Sequence, residues 1–215
     1  MDQPGHKKIG ELLVRNISRD LVMALEEANM VGAERGYMAA QGMDQGHLPS
    51  VIGQLRHFHM NELFHHALAA RGASPSPLRG NRIVTGRSGI CTVARFNTNY
   101  GSWNNGRRSK IRRQMSLANA AIEPLVQPDM FSAYEPPSNT VVFVVAVFRG
   151  SLQIRPDYIE IAVPDRYMQG WLFRERFGVF VKRYDLQPVI SQADLAVPKL
   201  KKHIGEQQNK EGAGS

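Results

Sequence analysis

Cysteine is almost absent from this chain: Cys91 stands alone among 215 residues. One thiol forms no internal disulfide and cannot build a cysteine-based zinc site. Long hydrophobic runs are missing too. No stretch of about 18 apolar residues occurs, which excludes a membrane-spanning helix on sequence grounds. The opening residues Met1 to Lys8 are polar and no signal-peptide core follows them, so a cytoplasmic protein is expected. There is no Walker loop, dinucleotide fingerprint or Gly-x-Ser-x-Gly elbow. The expectation is therefore a protein without a cofactor, leaning away from catalysis.

The most informative shortage is of acid. Residues 63 to 122 form a stretch of 60 residues without Asp or Glu. It holds ten cations: Arg71, Arg79, Arg82, Arg87, Arg95, Arg107, Arg108, Lys110, Arg112 and Arg113. The rest of the chain holds 17 cations against 19 anions, so the net charge of +8 belongs to the middle. Nine of the ten cations are Arg, whose planar fork suits phosphate and stacks on bases. Such a segment raises a positive field that attracts polyanions. Its bland counterpart is a solvated basic face paired with acids from the flanks, which adds little stability.

Hydrophobic periodicity supplies the architecture. Ile9, Leu12, Leu13, Ile17, Leu21, Val22, Leu25 and Ala28 recur at helical steps over 8 to 33. Ser18 inside that pattern predicts a break near Asn16 and a capped second segment. Gly32, Gly36, Gly42 and Gly46 predict a loosening, with a short helical piece over 33 to 40. Ser50, just after Pro49, predicts the start of a helix over 50 to 71. Val51, Ile52, Leu55 and Leu63 occupy one side of it, and Met60, Phe64, Ala67 and Leu68 much of the other. A helix apolar nearly all round is expected between other elements.

Residues 72 to 77, with Pro75 and Pro77, read as a linker. Beyond it, 82 to 87 and 90 to 96 read as two strands about a glycine turn. Residues 97 to 106 read as a polar loop, followed by a helix from Ser109 to about Ile122 with the face Ile111, Met115, Ala118 and Ile122. An irregular connection carries Pro128, Met130, Phe131, Tyr134 and Pro136. Thr140 to Phe148, apolar throughout, reads as a central strand covered on both faces. Strands are expected over 152 to 155 and 158 to 163. A helix is expected from Pro164-Asp165, with Asp165 as its cap, through Trp171 to Phe177, and a strand over 179 to 181. The predicted fold is α+β: a helical region (1–72) packed on a mixed, mainly antiparallel sheet with flanking helices (78–190), then a polar, disordered tail (198–215).

The binding segment runs from Asn97 to Arg113. Arg107, Arg108, Lys110, Arg112 and Arg113 are assigned to phosphates, and Asn104, Asn105, Tyr100 and Trp103 to bases or sugar. A helix N-terminus there adds amides for a phosphate oxygen. Arg79, Arg82, Arg87 and Arg95 extend the track if their strands face the same side. The alternative for Trp103 is an inward-turned core plug. The expected partner is nucleic acid, DNA or RNA, with no membrane and a possible homo-oligomer.

Two rivals belong to other classes. His57, His59, His65 and His66 cluster on one helix, and His59, Glu62 and His66 share about 60° of it. With a distant acid such as Asp129, Asp157 or Glu160, that set suggests a metal-dependent nuclease or related hydrolase. A bland reading pairs Glu62 with His66 one turn on. Cys91 reads as a buried structural thiol rather than a nucleophile. The remaining rival is an assembly module whose basic stretch meets an acidic partner, with the apolar helix 50 to 71 at a subunit interface.

Overall fold

The computed structural model describes residues 4–126 and 137–186. Met130, Phe131 and Tyr134, the acid Asp129 and the tail 198–215 lie outside the described residues. The fold is α+β, with a five-stranded mixed sheet and helices on both of its faces.

Helices α1 (Pro4–Asn16) and α2 (Arg19–Ala39) meet at the anticipated break. Ser18 is extended, and its hydroxyl accepts the Leu21 amide at 3.2 Å, satisfying one orphan donor of the new helix. Contrary to expectation, α2 runs unbroken through Gly32 and Gly36. The glycines are there for packing. A Cβ on Gly32 would lie 2.6 Å from Met60 Cα, and one on Gly36 would lie 2.4 Å from Arg56 Cα. Their hydrogens let α3 (Leu48–Ala70) approach α2 backbone to backbone.

Helix α3 begins before Ser50, with Pro49 in its first turn, where a missing N–H costs nothing. Of its buried residues, Ile52, Arg56, Met60, Phe64 and Leu68 recur every fourth position as a ridge, with Asn61 buried beside Met60. Val51, Leu55 and Leu63 are only half-buried, and Phe58 is 43% exposed, so α3 is not enclosed all round. Gly36→Ala should lower the thermal midpoint by about 5 °C, because overpacking at about 1–3 kcal/mol outweighs the helix-propensity gain. Gly53→Ala, on the open side of α3 with nothing within 4 Å, should not lower it. A melting comparison of the two variants checks this.

The sheet is ordered as in sequence: β1 (Thr85–Ser88), β2 (Cys91–Asn99), β3 (Thr140–Phe148), β4 (Tyr158–Pro164) and β5 (Trp171–Arg176). Only β2 and β3 run parallel. All nine residues of β3 are buried, as their unbroken apolar run requires of a central strand. Alternation divides the sheet into two faces. Val93, Val142, Val144, Ala146, Phe148, Ile159 and Ile161 pack beneath the long helices, in one core with Leu13, Leu21, Leu25 and Phe64. Ala94, Phe96, Val141, Phe143, Val145, Val147 and Ala162 form the opposite face. The connection from β2 to β3 covers that second face with α4 (Trp103–Arg107), α5 (Lys110–Ser116) and a 3-10 turn (Leu117–Ala121), and a second 3-10 turn (Glu123–Leu125) then packs Leu125 on the first core beside α1.

Three segments depart from expectation. Residues 152 to 155 form no strand. Residues 165 to 170 form a turn in place of a helix. The Asp165 carboxylate accepts the amides of Tyr167 (2.8 Å) and Gln169 (3.0 Å), and that of Gly170. An Asp that satisfies successive amides in a turn competes with helix formation, and the aromatic segment from Trp171 then pairs as β5. Phe177–Phe180 is a helical turn (α6), because Phe177 and Phe180, three apart, both enter the core. Lys182–Asp185 (α7) follows it.

Candidate functional site

The second face of the sheet carries a wide groove of about 1250 Å³. It is lined by Arg107 from α4, Arg108, Lys110 and Arg113 with Gln114 from α5, Leu117, and Arg166, Tyr167 and Gln169 from the β4–β5 turn. Sequence and packing fix each wall. Ser109 is extended before α5 and its hydroxyl accepts the Arg112 amide at 3.4 Å. The following 3-10 turn is tied to the sheet by Asn119, which is fully buried. Its amide donates to Val141 O (3.1 Å) and Pro164 O (2.8 Å), and its carbonyl accepts from Val141 N (2.7 Å) and Thr140 Oγ1 (3.0 Å). Glu123 accepts the Arg166 amide at 2.8 Å and pairs with its guanidinium, fixing the opposite wall.

Electrostatically the groove is one-sided. None of its lining residues is a carboxylate. Among the described residues Arg108, Lys110 and Arg113 make no ion pair, and Arg107 donates to the neutral amide of Gln169. Four cations without an ion-pair partner among the described residues, plus Arg166 held by Glu123, face one space. Tyr167, 63% exposed, adds a ring to that wall.

The remaining candidate residues separate. Arg112 turns toward the sheet: its Nε donates to Gly106 O at 2.9 Å, and its guanidinium lies 4.7 Å over the Phe96 ring. Helix α5 has seven residues, and the Ser109 hydroxyl takes the Arg112 amide, one of the donors anticipated there for a phosphate oxygen. Trp103 packs inward against Trp171, with ring centroids 3.7 Å apart, and against Phe96. Tyr100 stays 67% exposed. Asn104 and Asn105 belong to α4, but their side chains lie outside what is described.

The conditional track of strand arginines divides between the two faces. Arg87 pairs with Thr92 across β1 and β2, on the side of Ala94 and Phe96, and its Nε donates to Gly89 O at 3.3 Å. Arg95 projects from the other face and is 2% exposed. Burial lowers its pKa to about 9, and its donors are taken by Asn29, Asn61, Met60 and Asn97. It cannot extend a surface track. Arg79 and Arg82 line a separate pocket of about 310 Å³ with Phe58, His59 and Glu62.

The chemistry of the rival readings is likewise placed. Among the described residues no group of three His, Cys, Asp or Glu side chains comes together to hold a metal. Glu62 lies 3.8 Å from His59 instead of pairing with His66. Asp157 pairs with Arg149 at 3.0 Å and Glu160 with Arg174 at 2.7 Å, so each carboxylate already faces a guanidinium. His57 Nε2 lies 3.1 Å from the Asn61 amide; burial, then the charges of Arg95 and Arg112, lower its pKa. The Cys91 thiol is buried, and desolvation pushes its pKa up to about 12, which leaves an unreactive structural thiol. Among the described residues no helix is long and apolar enough to cross a membrane.

Gln114, Arg166, Tyr167 and Gln169 escape sequence reasoning. The available signal was Asp165 followed by Gly170, an Asx-type turn that would have placed Arg166 on a loop. Comparison with protein-family models, curated proteins and solved structures finds no match to this chain.

Proposed function

We propose that this protein binds nucleic acid, gripping the phosphate backbone in the groove between α4–α5 and the β4–β5 turn. One observation carries the reading: Arg107, Arg108, Lys110, Arg113 and Arg166 converge on one space with no carboxylate among its lining residues. Cations without local acids are poorly compensated by the fold, and a polyanion supplies the missing charge while releasing condensed counterions. The arginine forks favour phosphate over a diffuse acidic surface, because two parallel N–H donors match two phosphate oxygens.

Counterion release sets the test. Fluorescence anisotropy with a labelled oligonucleotide should show affinity falling by about 50-fold or more between about 50 and 200 mM salt, the change expected for four phosphate contacts. Polyglutamate at equal charge should displace the oligonucleotide poorly. Salt-insensitive binding, or equal displacement by polyglutamate, would remove nucleic acid as the partner.

A further inference from the structure

A second cavity draws on the same elements as the cationic groove. It measures about 380 Å³ and is lined by Thr98, Asn99 and Tyr100, by Trp103, by Val145 and Val147 of β3, and by Tyr158, Trp171 and Arg174. That volume lies in the range of small-ligand sites, about 300–1,000 Å³. Four aromatic side chains enclose it. Strand pairing places two of them, Tyr158 opposite Val147 and Trp171 opposite Pro164, both on the second face. Arg174 lies 5.2 Å over the Trp171 ring and Arg176 lies 4.3 Å over that of Tyr158, so the aromatic walls are backed by cations. Trp103 Nε1 is shielded from solvent and has no acceptor among the described residues. Leaving such a donor unmet is costly, and a bound acceptor would relieve it.

Two elements contribute to both cavities. Helix α4 contributes Trp103 to the aromatic cavity and Arg107 to the groove; the first residue of β5, Trp171, lines one, and the turn just before it contributes Arg166, Tyr167 and Gln169 to the other. Five residues of helix span about 7.5 Å, comparable to the step between neighbouring phosphates of an extended single strand. A polyanion lying in the groove therefore passes within reach of a ring-lined hole.

We infer that the nucleic acid recognised is single-stranded, and that one unpaired base enters the aromatic cavity while its neighbouring phosphates lie on Arg107, Arg108, Lys110 and Arg113. This rests on the phosphate-groove reading and narrows it. Base-paired nucleotides keep both ring faces stacked and cannot use the cavity without being unpaired. A free base offers a π-face to Tyr100 and Tyr158, and its carbonyl or ring nitrogen is an acceptor. The rings supply sequence-tolerant stacking and the groove supplies charge, the combination found in single-strand binders.

The chain holds two tryptophans, and both line this cavity, so its intrinsic fluorescence reports on it directly. The probes are oligothymidylate of about 12 nucleotides, within the site sizes of single-strand binders, an abasic strand of equal length, and the corresponding duplex. Oligothymidylate should bind about tenfold tighter than the abasic strand at equal salt, the gain of stacking one base, and should alone quench tryptophan emission. Tyr100→Ala, at an exposed position, should bring oligothymidylate down to the abasic strand and leave the abasic strand unchanged. Arg108→Ala should weaken both alike. Equal, salt-sensitive binding of all three probes would overturn the base cavity and leave the groove standing, as would a preference for duplex. Failure to bind any probe would overturn both.

Discussion

Replacing Arg107, Arg108, Lys110 and Arg113 together by alanine is expected to reduce affinity for a single strand about 4,000-fold at about 50 mM salt. The estimate follows from counterion release. Each neutralised phosphate contributes about 0.7 to the slope of log affinity against log salt for a single strand, so four contacts give a slope near about −3. That term vanishes on extrapolation to about 1 M salt, and at about 50 mM it amounts to roughly three and a half decades. The variant should therefore show both weak binding and a nearly flat salt dependence. Arg166 does not rescue it, since its charge is paired with Glu123.

The variant should also fold. Arg108, Lys110 and Arg113 are exposed, and Arg107 gives up one hydrogen bond to Gln169. Surface substitutions of this kind shift stability little, and circular dichroism with a melting curve checks it. The matching all-lysine variant keeps the charge and loses the forks, so its salt slope should survive while its affinity falls partway. A folded alanine variant with undiminished, salt-sensitive binding would dissociate these residues from the function.

Much of this site is legible in the chain. The acid-free run locates the cations, and Ser109 followed by Lys110 to Arg113 announces a capped helix that presents some of them together. Other parts are not legible because they depend on which elements end as neighbours. Arg166 enters the groove only because Asp165 folds its own following amides into a turn. A helix and a turn after Pro164 are nearly degenerate locally, and the pairing of Trp171 and Phe173 with β4 decides between them. The glycines of α2 show the same ambiguity. Gly32 and Gly36 read locally as weak points, yet in three dimensions they are where α3 touches. Strand parity is legible, but the side on which each face lands is not. The alternation in 90 to 96 separates Ala94 from Arg95 without saying which meets the long helices.

Arg95 shows what that choice costs and what it does. The guanidinium sits between α2, α3 and β2, donating to Asn29 Oδ1 at 3.1 Å, Asn61 Oδ1 at 2.8 Å and Met60 Sδ at 3.3 Å, and to Asn97. No carboxylate pairs with it among the described residues. Burial disfavours its charged form, and only these neutral acceptors offset that. Arg95→Ala removes the donors and leaves the Asn29 and Asn61 carbonyls buried and unmet, at about 1–3 kcal/mol each, in addition to a cavity. A loss of about 4 kcal/mol and a fall in thermal midpoint of about 10 °C are expected.

A rival expectation is that removing a buried charge stabilises the fold, as replacement of buried ion pairs by apolar groups often does. That outcome requires the acceptors to leave as well. Arg95→Met alone should remain destabilising because the amides stay behind, whereas Arg95→Met combined with Asn29→Leu and Asn61→Leu should recover stability. Binding supplies the second readout. Arg95 lies on the face of the sheet opposite the groove, so folded Arg95→Met protein should bind oligothymidylate as the parent does, with the same salt slope. A folded variant with reduced slope would return Arg95 to the phosphate track, and a stabilised single variant would show that its amide cage does not compensate the charge.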